Sequence, residues 1–124
     1  MKSAWYDQLL TYIDMSNNLK ISASEALLKL KESGKEFEPL FKHGTLEVEV
    51  YRPDKEDKQQ PHSKDEIYVI IAGEGSFYCE GKSVSFRPGD FLFVPAHAEH
   101  RFNSFTEDLL TWVFFYGPED GEKR

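Results

Sequence analysis

From Thr45 onward the chain turns at short, regular intervals. Apolar and β-branched runs at 45–51, 66–72, 76–80, 83–86, 91–94, 100–105 and 109–116 read as strands. Gly73-Glu74-Gly75, Glu80-Gly81-Lys82, Arg87-Pro88-Gly89-Asp90 and Pro95 to Glu99 separate the later ones. Glycine allows positive φ, proline presets φ, and Asp hydrogen-bonds its own backbone, so these are turns for stated physical reasons. The first run, TLEVEVY, alternates strictly between Leu46, Val48, Val50 and Glu47, Glu49, the period of a half-buried strand. Short strands at turn spacing, with no helices between them, predict an all-β antiparallel sandwich or barrel.

Upstream the period is different. Residues 4 to 15 place Trp5, Leu9, Tyr12 and Ile13 at helical spacing, with Ser3 as N-cap, and the polar residues 16–18 end that helix. A second helix begins at Ser22. Glu25 completes a capping box, Ala23, Ala26, Leu27 and Leu30 form one stripe, and Gly34 stands where a left-handed terminator belongs. The chain therefore divides into a helical extension over 1–36, a β-barrel over 37–118 and a polar, frayed tail over 119–124.

A chain of 124 residues makes one domain and can bury a core without disulfides or a structural metal. Its net charge of −7 argues against nucleic acid or an anionic membrane as partner, since both need a basic footprint. The single cysteine, Cys79, leaves no internal disulfide and fits a reducing compartment. No apolar run reaches bilayer length, and the N-terminus lacks the basic-then-apolar order of a secretory signal. A cytoplasmic protein is expected.

The chemistry lies in two stretches. In QPHSKDEIYVIIAGEG, His62 and Glu66 stand four residues apart at the start of an extended run. In a strand an even separation puts both side chains on one face, and the run IYVII favours strand over helix. In RPGDFLFVPAHAEHRFN, Pro95 closes a strand and His100 opens the next, with Phe102 on the same face. If that face looks inward, His100 converges on His62 and Glu66. Tyr68 and Phe102 share the parity of these groups and are expected to line the cavity. His97, in the preceding turn, is expected at its mouth.

Together the two stretches resemble the two motifs of the cupin superfamily, and most closely small single-domain bacterial cupins of unassigned function. His62, Glu66 and Gly73 fit the second histidine, the glutamate and the closing glycine of the first motif. Gly89, Pro95 and His100 fit the second. The likeness covers about residues 45 to 116. It implies a jelly-roll barrel, a homodimer, a small-molecule ligand or substrate, and a divalent transition metal (iron, zinc, manganese or nickel). The departures are specific. Gln60 replaces the first histidine of a three-His, one-Glu set, Asp54 and His97 replace glycines, and Asn103 comes one residue early, with Ser104 at the formal spacing.

Two imidazoles and a carboxylate remain a known set for catalytic metals, with Gln60 as a weak fourth ligand or a residue that orients water. Dioxygenase and isomerase chemistry both occur among cupins. A non-catalytic binding or sensing module, with or without metal, is the reading from another class. What separates them is an acid–base group beside the open metal positions. His97, Tyr68 and a glutamate from another strand are the spare candidates.

Overall fold

The structure, a computed structural model, describes residues 19–123; the helix expected over 4–15 lies outside them. The described elements are α1 (Ala23–Ser33), β1 (Phe37–His43), β2 (Leu46–Tyr51), β3 (Asp65–Ala72), β4 (Gly75–Cys79), β5 (Lys82–Phe86), β6 (Phe91–Val94), β7 (His100–Phe105) and β8 (Leu110–Tyr116). The strands form a five-stranded sheet ordered β1-β2-β8-β3-β6 and a three-stranded sheet ordered β5-β4-β7. Every pairing within them is antiparallel. The antiparallel strands are those the turn spacing predicts, and with the one short helix described they make the jelly-roll arrangement that the resemblance implies.

Helix α1 starts and stops on its own chemistry. The Ser22 hydroxyl accepts from Glu25 N–H, the Glu25 carboxylate accepts from Ser22 N–H, and Gly34 ends the helix at φ 71°. Its buried residues, Ala26 and Leu30, pack with Leu40, Val50 and Leu110 on the outside of the large sheet. The barrel interior is a separate core built on aromatics. Phe102 is 1% exposed and touches Tyr68 and Phe77 at centroid distances of 4.9 Å and Phe86 at 5.3 Å. Each such buried ring contributes about 2–3 kcal/mol through burial, with tilted ring contacts adding to it.

Three details go beyond or against the sequence reading. Phe37–His43 is a strand despite Pro39. It lies at the sheet edge and shifts register between Pro39 and Phe41, the setting in which a missing N–H is tolerated. The apolar face of β2 does not look into the barrel. Val50 packs under α1, whereas Tyr51 belongs to the interior core, so the odd-numbered face carrying Glu47 and Glu49 turns inward. The tail is tied down over 118–122. Asp120 N–H donates to Ser63 O, Gly121 N–H to Pro118 O and Glu122 N–H to the Asp65 carboxylate.

Among the described residues, no helix is long and apolar enough to cross a membrane.

Candidate metal centre

The mouth of the barrel is organised by three elements. Strand β3 begins at Asp65, so His62 lies in the loop before it rather than on the strand. The expected parity argument therefore fails for His62. The loop, not strand alternation, brings it to Glu66. Its backbone and its ring are each held: His97 N–H donates to His62 O at 2.6 Å, and His62 Nδ1 lies 3.1 Å from Lys64 O. Glu66 follows on β3 and is fully buried. His100 opens β7, 2% exposed, with Nδ1 2.9 Å from Ala98 O.

These three side chains converge. His62 Nε2 is 2.7 Å from Glu66 Oε1, and His100 Nε2 is 3.2 Å from the same oxygen. One ligand atom from each of the three residues lies within 4.8 Å of the others. The imidazoles meet at 5.0 Å, nearly edge to face, and His62 rests edgewise against Phe115.

The hydrogen bonds assign the tautomers. A backbone carbonyl only accepts, so each Nδ1 carries the proton it donates to Lys64 O or Ala98 O. A ring held this way, when neutral, turns the lone pair of Nε2 toward the Glu66 carboxylate. Two lone pairs and an anion facing one point repel unless a cation, a proton or a metal ion, sits among them. Among the described residues, Glu66 Oε2 and His100 Nε2 are moreover buried without a hydrogen-bond partner, a costly state for polar atoms. Carbonyls holding the far nitrogens of ligating histidines are the usual outer shell of a metal site. The donor set and its orphaned atoms fit a divalent transition metal.

The same geometry sets the charges. Burial would raise the Glu66 carboxyl, but the His100 and His62 rings outweigh it and hold the pKa below the ordinary value. Burial would lower His100, but the Glu66 carboxylate facing Nε2 and the Ala98 carbonyl on Nδ1 raise it.

The other expected site residues are dispersed. Tyr68 is fully buried and donates its hydroxyl to Gln59 Oε1 at 3.0 Å, and Phe102 is core. The His97 side chain turns outward to Asp120, 2.8 Å away. Gln60 is exposed and lines a cavity of about 270 Å³ together with Glu66, Gln59 and Glu49. It is Gln59 that is woven into the interior, through Tyr68 and through Asp57. Asp57, 8% exposed, also accepts from Tyr51 OH at 2.7 Å and from Phe102 N–H at 2.8 Å. Within RPDKEDKQQ nothing marks Asp57 apart from its solvated neighbours, and the alternation of β2 does not say which face is inward. The sequence therefore marks neither the burial of Asp57 nor the inward direction of Glu49. The Cys79 thiol is pushed up by burial, then by Glu80 and Glu66, and has no activated character.

A family model described as a cupin domain matches residues 47–116, and the chain belongs to that family. A protein of Streptomyces coelicolor described as uncharacterized is 33% identical over 63 residues, covering 51% of this chain and 60% of that protein. Acireductone dioxygenase of Bacillus thuringiensis is 40% identical over 50 residues, 36% of this chain and 29% of the enzyme. The chain thus spans less than two thirds of the length of these curated relatives. A solved structure of unknown function from Rhizobium leguminosarum superposes with a TM-score of 0.63 at 19% identity, covering 81% of this chain and 97% of that one. That likeness speaks to the fold.

Proposed function

We propose that this cupin-family chain holds a divalent transition metal through His62, Glu66 and His100 and binds or transforms a small polar molecule in the adjoining cavity. One observation carries the reading. Two imidazoles whose Nδ1 protons go to backbone carbonyls turn Nε2 on a buried carboxylate whose second oxygen has no hydrogen-bond partner among the described residues, and a cation resolves that conflict. Bound there, iron, zinc, manganese or nickel supplies Lewis-acid polarisation or, for iron, oxygen activation. Three protein ligands leave positions open for substrate. Gln60, on the cavity wall, completes the set as a weak ligand or as a holder of water. The stretch shared with acireductone dioxygenase supports dioxygenase over isomerase chemistry.

A second reading has its own support. Glu66 Oε1 already lies within 2.7 Å of His62 and 3.2 Å of His100, so shared protons alone can balance the cluster. A metal-free binding module is then the function.

Thermal unfolding of EDTA-stripped protein separates the two. On the metal reading, adding ion at a hundredfold excess over Kd stabilises the wild type by about 2.7 kcal/mol, whereas His62→Ala and His100→Ala variants do not respond. A wild type that ignores all four ions sinks it.

As for partners, the reading is a cytoplasmic homodimer. Phe91 and Phe93, 62% and 43% exposed on edge strand β6, give a second copy an apolar surface to cover.

A further inference from the structure

The end of the barrel away from His62, Glu66 and His100 has a wall of a different kind. Glu47, near the start of β2, pairs with Phe115, the residue against His62, so the chain leaves β2 after Tyr51 at the opposite end. Arg52 comes next and is fixed twice. Its N–H donates to Glu36 O at 2.7 Å, and its Nε donates to Leu109 O at 3.2 Å. A groove of about 830 Å³ opens there, between the end of α1, the loop after β2 and the turn after β7, a volume that suits a small molecule. Its apolar lining is Leu30, Pro53 and Phe105. Four basic residues, Lys31, Lys35, Arg52 and Lys55, line it against three acids, Glu36, Asp54 and Glu107. The whole chain has 22 acidic and 15 basic residues, so an excess of cations here opposes the molecule's overall charge. Among the described residues, none of these seven side chains belongs to an ion pair. Lys55 is also held at φ 69°, a left-handed backbone that a lysine adopts only at a cost and that recurs at ligand clamps.

We infer that this groove is a second binding site, for a small organic anion with a single carboxylate on an apolar or aromatic body. The inference does not rest on the metal reading. Arg52 carries the recognition. Its Nε is committed to Leu109 O, which fixes the plane of the guanidinium. Its remaining N–H groups, unpaired among the described residues, form a planar fork that matches a carboxylate. Lys31, Lys35 and Lys55 are point charges on flexible stems and close on the anion from the sides. Leu30, Pro53 and Phe105 take the apolar body out of water. A neutral ligand would leave the cations without a partner, and a bare inorganic anion would leave the apolar lining wet. Glu36, Asp54 and Glu107 set the limit on charge. With four cations against three acids, the wall balances one negative charge and repels a second.

Calorimetric titration of the full chain with 2-naphthoate, and with neutral 2-naphthylmethanol as its control, tests the proposal. Wild type should bind the carboxylate saturably, with the same affinity in EDTA-treated and zinc-treated protein. It should bind the alcohol about tenfold or more weakly, the difference that a charged hydrogen bond makes. R52Q should lose a similar factor for the carboxylate. K55N, in which asparagine accepts the left-handed backbone, should bind it severalfold more weakly and leave the barrel untouched. Raising salt from about 0.05 to 0.5 M should weaken binding, since the lysines are exposed. K82Q removes an exposed lysine of β5 that does not line the groove and should match wild type. Equal affinity for carboxylate and alcohol overturns the anion site. Carboxylate affinity unchanged in R52Q and K55N overturns the groove as its place, and where R52Q fails to fold, K55N decides alone. A wild type that binds neither compound overturns the ligand class.

Discussion

His100 has one side chain's worth of freedom, and the backbone removes most of it. Its Nδ1 proton is committed to Ala98 O, so Nε2 faces a carboxylate with no exposure to water and meets it through a shared proton or a metal ion. Removing the ring leaves Glu66 a buried charge short of a partner. In EDTA-treated protein, His100→Ala should therefore cost about 3–5 kcal/mol in urea unfolding, and a loss below about 1 kcal/mol would contradict the buried ion-pair description. Glu49 predicts a pH dependence of the opposite kind to a paired carboxylate. Its folded pKa is raised from 4.5 to about 7, so between those values the unfolded chain binds fewer protons and stability falls as pH rises. Glu49→Gln lacks that slope. Its thermal midpoint relative to wild type should climb from about pH 4.5 and level off above about pH 7; a constant offset would show that Glu49 is not raised. The clustering of His62, Glu66 and His100 was legible because a few residue types at fixed spacing are what such a cluster needs. Glu49 was not, because alternation announces two faces without saying which is inside.

The elements were legible where local chemistry decides them. Ser22, Glu25 and Gly34 bound α1 by themselves, and Ser22→Ala should cost about 1 kcal/mol. Gly73, which matched a motif position, turns out to be sterically required. At φ 93° an added Cβ would sit 2.6 Å from the Leu109 backbone. Strand β1 was missed because Pro39 argues against a strand until an edge position with a register shift accommodates it. The charged stretch from Arg52 to Gln60 has the composition of a solvated loop, yet Asp57 pins it to β2 through Tyr51 and to β7 through Phe102 N–H. Asp57→Ala leaves a buried amide and a phenol without acceptors. A loss of about 2–4 kcal/mol in urea unfolding is expected, and a loss under about 0.5 kcal/mol would mean the loop is held by something else.

At the scale of the molecule, the jelly roll places a loop histidine, a strand glutamate and a second strand's histidine at one mouth, and the tail ties that mouth from outside. Asp65 accepts from Ala96 N–H and Glu122 N–H, each at 2.9 Å, joining the strand that carries Glu66 to the turn before His100. Tail and barrel are therefore one structural unit, a relation invisible in a polar sequence because its contacts are made by backbone N–H groups. Light scattering should give twice the chain mass if the apolar surface on β6 is covered by a second copy, and a monomer would remove that partner. The central claim is the cation among His62, Glu66 and His100. Metal analysis of protein purified without a histidine tag, after growth with iron, zinc, manganese and nickel supplied, tests it most directly. The account predicts about one first-row divalent ion per chain, lost in His62→Ala and in His100→Ala. Metal-free wild type, or variants that keep their metal, would contradict it.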